Sequence, residues 1–190
     1  ALFPMRVGAS TMLLEKAAPD ELLEGIRQFR PTVCFTAPTG YRALLNKMQT
    51  DDVKSLRKCV SAGEALPKPT WDAWKAKTGI SILDGIGATE MLHIFVGAPE
   101  DKIRPGSTGL PVPGYEAKII DKEGRDLPRG SIGRLAVRGP TGCRYLVDKR
   151  QAGYVQNGWN TTVCPPSCGF ARAARWRSRS RRNASARAPR

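Results

Sequence analysis

The chain has 190 residues and a formal net charge of +14 at pH 7. Its hydrophobic content of 41% is typical of a soluble globular protein and allows one or two small domains with a packed core. The sequence shows no apolar run that could span a membrane and no secretory signal, so we expect neither a membrane protein nor a secreted one. The five cysteines do not form a disulfide framework, which favours a cytoplasmic location. A first residue other than Met predicts a fragment or a processed chain.

The positive charge is concentrated at the end of the chain. Residues 163–190 contain eight arginines and no acidic residue, which leaves a net charge of only +6 for residues 1–162. Such a segment cannot bury enough apolar surface to order itself, so we expect a disordered basic tail. The tail could bind nucleic acid electrostatically, although it lacks the regularly placed aromatic side chains that stack on bases.

Strand and helix patterns alternate over the first half of the chain. Apolar and β-branched runs predict strands at residues 7–14, 32–36, 59–61 and 80–83. Apolar residues at helical spacing predict helices at residues 19–29 and from about residue 39, and a third helix with proline in its first turn is predicted at residues 69–77. This alternation predicts an α/β fold with a largely parallel sheet flanked by helices.

The pattern changes beyond Phe95. Residues 104–114 are dense in proline and glycine, and two strands are predicted after them, at residues 116–120 and 132–138. Because helical pattern is scarce here, we predict part of a small antiparallel β subdomain with a boundary near residues 98–103, followed by an irregular segment at residues 139–160. The predicted domains are therefore residues 1–100, residues 101–162 and the tail, residues 163–190.

A glycine-containing stretch, residues 84–90, follows the last predicted strand of the sheet. In open α/β sheets, ligands bind at the carboxyl ends of the strands. Gly85 and Gly87 allow the backbone to lie close against a flat ring, Thr89 offers a hydroxyl donor, and Glu90 offers a carboxylate oxygen that Mg²⁺ accepts. These residues favour a nucleotide and metal site. An ordinary strand-to-helix loop, in which Thr89 and Glu90 only begin a helix, fits the spacing at least as well.

Other candidate sites are weaker. His93 is the only histidine and lies in an apolar run, where a packed core residue is the commoner role, although its closeness to Glu90 favours a functional one. Cys164 and Cys168 have a loose spacing for zinc and no second ligand pair. Residues 8–11 resemble a phosphate loop only faintly, because they lack the Gly-Lys that grips phosphate, and we interpret them as strand.

Several motifs lie in a recognisable order along the chain. They are Ser-Ala-Gly-Glu-Ala-Leu-Pro at residues 61–67, Asp-Gly-Ile-Gly-Ala-Thr-Glu at residues 84–90 and Gly-Ser-Ile-Gly-Arg-Leu at residues 130–135. Together they resemble the adenylate-forming acyl- and aryl-CoA ligases, over residues 1–162. Residues 84–95 and 138–146 are similar in particular to the benzoate, hydroxybenzoate and aminobenzoate branch of that family.

The resemblance implies a reaction in two steps. An aryl carboxylate attacks the α-phosphate of ATP to give an acyl-adenylate, and the thiol of coenzyme A then displaces AMP. By the resemblance, Glu90 would hold Mg²⁺ and Thr89 would hydrogen-bond a phosphate, which makes these two residues the catalytic candidates. Gly87 and His93 would line the aryl pocket. The resemblance places a further set along the adenine: Gly63, Glu64, Ala65, Asp84, Gly85 and Ile86.

The chain also departs from this family. It lacks the Ser/Thr/Gly-rich phosphate loop, the Gly-Asp expected after residue 162, and the domain that carries a catalytic lysine. The tail is instead rich in Arg, Ala, Ser and Pro, the residues that GC-rich DNA encodes when it is read out of frame. We therefore predict a truncated or frameshifted product that does not complete catalysis alone. Two alternatives stay open: nucleic-acid binding through the tail, and a non-catalytic module that binds adenine nucleotides.

Overall fold

The computed structural model describes residues 2–16, 18–128 and 130–161. The predicted disordered, frameshifted tail and the weak zinc candidate Cys164 and Cys168 fall in residues 163–190, which lie outside the described residues. The helices are α1 (Leu2–Arg6), α2 (Pro19–Phe29), α3 (Pro38–Lys47), α4 (Lys68–Thr78) and α5 (Arg150–Tyr154). The strands are β1 (Val33–Thr36), β2 (Lys58–Ala62), β3 (Ile82–Gly87), β4 (Ile94–Gly97), β5 (Leu110–Pro111), β6 (Glu116–Ile120), β7 (Arg134–Arg138), β8 (Val155–Gln156) and β9 (Trp159–Thr161).

The first sheet contains five strands in the order β1-β2-β3-β4-β5. The first three are parallel, and their register places Thr36, Ser61 and Asp84 side by side. Helices α3 and α4 connect them, because parallel neighbours need a crossover connection. β4 and β5 extend the sheet as antiparallel strands beyond β3. The predicted fold class, an α/β fold with a mostly parallel sheet, is confirmed.

One core cluster packs the helices against the parallel strands. Leu23 and Ile26 of α2, Leu44 of α3 and Trp74 of α4 are buried together with Ile82 of β3. These helical residues recur at the spacing that predicted the helices, and their burial supplies most of the energy that orders amphipathic helices. The helices therefore cover one face of the parallel strands.

Tyr41 links α3 directly to the sheet. Its hydroxyl oxygen lies 2.9 Å from the carbonyl oxygen of Cys34 and 3.0 Å from that of Val60, so its proton is shared between β1 and β2. Its ring packs edge-on against Trp74, with 4.8 Å between the ring centroids. The side chain is completely buried, so it fixes the position of α3 relative to both strands.

The second sheet is antiparallel and contains four strands in the order β6-β7-β9-β8. The two strands predicted at residues 116–120 and 132–138 are present and pair antiparallel, although β7 begins two residues later than predicted, at Arg134. The prediction of an irregular segment at residues 139–160 holds for residues 139–149 and is wrong beyond them, because α5, β8 and β9 lie there. β8 and β9 have only two and three residues, which is too short for an alternating pattern to be visible in the sequence.

The prediction of a strand at residues 7–14 is also wrong. The segment is a turn followed by residues without regular secondary structure, and Val7 and Leu13 are 76% and 86% exposed. A strand needs a neighbour to complete its backbone hydrogen bonds, and no strand of the described residues pairs with this segment. Its apolar residue Met12 packs instead on α2 at Gly25, where a Cβ atom would lie 2.8 Å from the Met12 side chain.

The last parallel strand is longer than predicted. β3 runs to Gly87, so residues 84–87 belong to the strand and do not leave it as a turn. Parallel pairing with β2 ends at Gly85, and antiparallel pairing with β4 then continues through Ile86 to Gly87. The last residues of β3 stay in the sheet because the antiparallel strand β4 pairs with them.

The two sheets meet at a second hydrophobic cluster. Met91, Phe95 and Val96 contribute to it from the β3–β4 region, and Tyr115, just before β6, and Val137 of β7 contribute from the side of the second sheet. β5 also belongs to the first sheet, although it lies beyond residue 100. The predicted domain boundary stays a prediction. None of the helices in the described ranges is both long enough and apolar enough to cross a membrane.

Candidate active site

The parallel pairing of β2 and β3 brings two predicted adenine segments to one edge of the sheet. Ser61 and Ala62 are register partners of Asp84 and Gly85. The chain that leaves β2 is exposed at its next three residues, Gly63, Glu64 and Ala65. The other predicted members, Asp84, Gly85 and Ile86, lie in β3. Both segments are therefore adjacent in space, while their role as adenine contacts stays a prediction.

The two carboxylate oxygens of Asp84 have different surroundings. Thr108 donates a hydrogen bond of 3.1 Å to Oδ2, whereas the buried Oδ1 has no hydrogen-bond partner among the described residues. Burial raises the pKa of this carboxyl and outweighs the contacts from Thr108, Ser61 and two nearby backbone N–H groups, which lower it. A pocket lined by Leu66, Trp71 and Thr108 opens beside Asp84. A ligand donor that reached Oδ1 would remove the cost of the unsatisfied acceptor.

The two predicted catalytic residues lie in a tight turn after β3. Thr89–Met91 forms a single 3₁₀ turn, so Thr89 and Glu90 do begin a short helix, and the role of both residues in a nucleotide and metal site stays a prediction. Leu92 closes the turn with a left-handed backbone, φ 68°, and its side chain is 66% exposed. A non-glycine residue in this conformation costs free energy, and such strain concentrates at functional sites.

Glu90 is held by a residue that lies 55 positions later in the sequence. Tyr145 donates a hydrogen bond of 2.6 Å from its hydroxyl to Oε1 of Glu90. The Tyr145 ring packs edge-on against the buried Tyr154, with 5.3 Å between the centroids. Burial raises the pKa of Tyr154, so its hydroxyl stays protonated. The Glu90 carboxylate is therefore oriented by the segment that follows β7.

His93 belongs to a chain of polar contacts between the two sheets. The Thr141 hydroxyl donates to the carbonyl oxygen of Met91 at 2.8 Å, and its oxygen lies 2.7 Å from the Tyr115 hydroxyl oxygen. The Tyr115 oxygen also lies 3.1 Å from Nε2 of His93. Gly87 lies directly against His93, because a Cβ atom on Gly87 would be 2.8 Å from the His93 carbonyl oxygen. The two predicted aryl-pocket residues are thus neighbours.

The oxygen atoms of Glu90 and Thr89 suit a metal ion that is bound mainly by the phosphates of a nucleotide. No group of three or more His, Cys, Asp or Glu side chains in the described part of the chain could hold a metal ion. Glu90 nevertheless offers one oriented carboxylate, with the exposed hydroxyl-bearing Thr89 beside it. Mg²⁺ in nucleotide sites is held by one or two carboxylates together with phosphates, so these residues fit the predicted metal.

Sequence reasoning missed the side chains that support the site. Thr108 supports Asp84, Tyr145 supports Glu90, and Tyr115 with Thr141 supports the turn around His93. The sequence separation is 24 residues for the first contact and 55 for the second, so no local pattern signals either of them. The residues that were predicted are those that lie close together in the sequence.

Comparison with known proteins identifies the family. The model of one protein family, described as "AMP-binding enzyme", matches residues 1–145. The benzoate–CoA ligase of Thauera aromatica is 38% identical over 144 residues, and the anthranilate–CoA ligase of Pseudomonas aeruginosa is 39% identical over 165 residues. The chain belongs to the AMP-binding enzyme family. The two matches cover 74% and 84% of this chain but only 27% and 31% of the relatives, so the chain spans less than a third of their length.

Solved structures give the same relationship for this AMP-binding family member. The crystal structure of an anthranilate CoA ligase in complex with anthranoyl-AMP matches 85% of this chain and 32% of that chain, with a TM-score of 0.79 and 44% sequence identity. The predicted resemblance to adenylate-forming aryl-CoA ligases, an enzyme family of acid–thiol ligases, is therefore confirmed. The comparisons give no support to the nucleic-acid alternative.

Proposed function

We propose that residues 2–161 supply the nucleotide and aryl contacts of an ATP-dependent aryl-CoA ligase. An oxygen of the aryl carboxylate attacks the α-phosphorus of ATP, the bond to the β-phosphate bridge breaks, and pyrophosphate leaves. The thiol of coenzyme A then loses its proton and attacks the acyl carbon, and AMP leaves with the electrons of the mixed anhydride bond. The products are an aryl-CoA thioester, AMP and pyrophosphate.

The adenine is proposed to lie between the two segments at the carboxyl edge of the sheet. Gly63, Glu64 and Ala65 approach it from the loop after β2, and Gly85 and Ile86 approach it from β3. Asp84, also in the predicted adenine set, carries the buried oxygen that lacks a partner among the described residues. An amino group is a donor that suits this acceptor, which is the physical reason for placing the base here.

The phosphates are proposed to lie at the Thr89–Met91 turn. Thr89 donates a hydrogen bond to a phosphate oxygen, and Glu90 is the protein ligand of Mg²⁺. When bound, Mg²⁺ neutralises part of the negative charge on the phosphate oxygens. The protein's own contribution is to place ATP and the aryl carboxylate in line and to hold that arrangement.

The aryl group is proposed to lie against Gly87 and His93. Gly87 has no side chain to fill the space, and the His93 ring is held edge-on to Tyr115, with 5.6 Å between the ring centroids. The named relatives act on benzoate and anthranilate, so the proposed substrate is a small aromatic carboxylate of that class. A cytoplasmic location stays part of the proposal.

The observation that carries the proposal is the oriented Glu90 carboxylate at the end of β3, 2.6 Å from the Tyr145 hydroxyl. The test is equilibrium binding of a non-hydrolysable sulfamoyl analogue of anthranoyl-AMP, measured by calorimetry. We expect the analogue to bind, AMP to displace it, and GMP to displace it at least tenfold less well. If the analogue does not bind, or if GMP competes as well as AMP, the proposal is wrong.

A further inference from the structure

Tyr145 contacts Glu90 with a geometry that suits a specific role. Its hydroxyl donates to Oε1 at 2.6 Å, within the range of strong hydrogen bonds from a hydroxyl to a carboxylate. Both side chains are half-buried, so the contact is partly shielded from water.

Tyr145 is itself fixed from behind. Its backbone N–H donates to Oε1 of Gln151 in α5 at 2.7 Å, and its ring packs against Tyr154. Tyr154 is completely buried, and its hydroxyl lies 3.6 Å from Sδ of Met91, the residue after Glu90. Tyr145 therefore approaches Glu90 from a supported position, as precise placement of a functional carboxylate requires.

We propose that Tyr145 is a positioning residue: its hydroxyl fixes the Glu90 carboxylate in the orientation in which it meets the metal-bearing triphosphate of ATP. This inference rests on the proposed function. A glutamate has a broad, weakly restricted terminal torsion, so an anchor on one oxygen determines where the other oxygen points. The anchor also links the metal-binding turn to the second sheet.

A purely structural reading predicts something different. If Tyr145 only joins residue 145 to the turn, its loss would weaken every ligand and the fold alike. If it positions Glu90, its loss would weaken only the ligand that brings a metal. AMP without metal and ATP with Mn²⁺ separate the two readings, because both use the adenine contacts and only the second uses Glu90.

The experiment compares Tyr145→Phe with the matched control Tyr154→Phe. Each substitution removes one hydroxyl and keeps the ring, and the Tyr154 hydroxyl contacts Met91 instead of Glu90. Binding of Mn²⁺ in the presence of ATP is measured by the electron paramagnetic resonance of free Mn²⁺. Binding of AMP is measured by calorimetry without metal. Glu90→Gln and the double variant Glu90→Gln/Tyr145→Phe complete a double-mutant cycle.

We expect Tyr145→Phe to weaken Mn²⁺–ATP binding about tenfold, the effect of losing a hydrogen bond to a charged group. AMP affinity should stay within about twofold, and Tyr154→Phe should change neither. In the Glu90→Gln background, Tyr145→Phe should have no further effect on Mn²⁺–ATP binding. A second variant, Gln151→Leu, removes only the backbone anchor and should give a smaller loss of the same kind.

Other results overturn the inference. It is wrong if Tyr145→Phe binds Mn²⁺–ATP like the unsubstituted protein, if it weakens AMP to the same extent, or if it acts equally with Glu90→Gln present. Should Tyr145→Phe fail to fold, an unchanged Mn²⁺–ATP affinity in Gln151→Leu overturns it as well. Failure of the proposed function looks different, because the unsubstituted protein would then bind neither AMP nor Mn²⁺–ATP.

Discussion

At Asp84, the requirements of stability and of ligand binding oppose each other. One carboxylate oxygen accepts from Thr108, and the other is buried with no partner among the described residues. An unsatisfied buried acceptor costs roughly 1–3 kcal/mol. Proteins keep such features where function needs them, and a bound adenine would offer the missing donor.

Asp84→Asn tests this trade-off through its dependence on pH. Burial raises the pKa of Asp84 above its ordinary value of 3.8, so folding favours the protonated form. The stability that Asp84 contributes is therefore greatest below that value and falls as the pH rises through the raised pKa. Asparagine does not titrate. We expect Asp84→Asn to be more stable than the unsubstituted protein by about 1 kcal/mol at pH 7, with the difference shrinking towards pH 4.

The measurement is urea unfolding of both proteins at several pH values, together with AMP binding at pH 7. AMP affinity should fall in Asp84→Asn even though the fold gains stability. A stability difference that does not change with pH would show that the Asp84 carboxyl titrates alike in the folded and unfolded protein. A gain in AMP affinity would contradict its proposed role at the adenine.

Gly87→Ala places a methyl group where the backbone of the next strand already lies. The added Cβ would be 2.8 Å from the carbonyl oxygen of His93, so the turn must shift. We expect a loss of stability of about 1–3 kcal/mol, as for overpacking elsewhere. Affinity for the anthranoyl-AMP analogue should fall about tenfold more than affinity for AMP, because the shift displaces the proposed aryl contacts.

Gly153→Ala in α5 is the matched control, since a Cβ atom there meets nothing within 4 Å. It should leave both affinities unchanged and raise helix stability by up to about 1 kcal/mol. Calorimetry with the two ligands measures the affinities, and urea unfolding measures the stability. Equal losses for AMP and the analogue in Gly87→Ala would remove Gly87 from the aryl pocket.

At the level of single residues, the sequence predicts those site residues that stand next to one another in the chain. Thr89, Glu90 and the glycines stand together in the chain, so their chemistry can be read as a motif. Tyr145 reaches Glu90 across 55 residues, and contacts with Gln151 and Tyr154 in the folded chain hold it there. The motif therefore predicts the functional atoms, while their support depends on the fold.

At the level of elements, Tyr41 shows how one side chain attaches a helix to a sheet. Tyr41→Phe keeps the ring against Trp74 and leaves the carbonyl oxygens of Cys34 and Val60 without its proton. We expect a loss of about 1–2 kcal/mol, measured as a lower midpoint of urea unfolding with an unchanged slope. An unchanged midpoint would mean that these carbonyls are fully satisfied by the strand ladder.

The predictions of elements succeeded where the signal is local. α2 and α3 were predicted because their apolar residues recur at the helical period, and α4 was predicted with proline in its first turn; both signals depend only on the helix itself. Residues 7–14 have the composition of a strand, but no strand of the described residues pairs with them. Their composition therefore led to a wrong prediction. β8 and β9 carry little strand signal; β9 forms because β7 offers an edge to pair with, and β8 then pairs with β9.

At the level of the whole molecule, the candidate site lies where the two sheets meet. Met91 and Phe95 pack with Tyr115 and Val137 in one cluster. The hydroxyl of Tyr115 adds polar contacts to His93 at 3.1 Å and to Thr141 at 2.7 Å. The turn that carries Glu90 is therefore held from both sheets, and the coupling between the sheets can be tested without any ligand.

Tyr115→Phe removes these two contacts and keeps the ring in the cluster. We expect a loss of stability of about 1–2 kcal/mol, similar to that of Tyr41→Phe. The two variants should differ in which strands lose protection from hydrogen exchange. Tyr41 lies wholly within the first sheet and its helices, whereas Tyr115 joins the sheets. Hydrogen exchange should therefore accelerate in β6–β9 relative to β1–β3 in Tyr115→Phe, because the second sheet can open without the first.

Tyr41→Phe serves as the matched control, because the same atom is removed from a buried tyrosine at a different place. In that variant we expect exchange to accelerate in β1 and β2 at least as much as in β6–β9. If the two variants accelerate exchange uniformly over both sheets, the described residues unfold as one cooperative unit and the polar contacts only add to a shared core. If Tyr115→Phe changes nothing, the hydrophobic cluster alone joins the sheets, and the position of the Glu90 turn does not depend on the contacts from Tyr115 to His93 and Thr141.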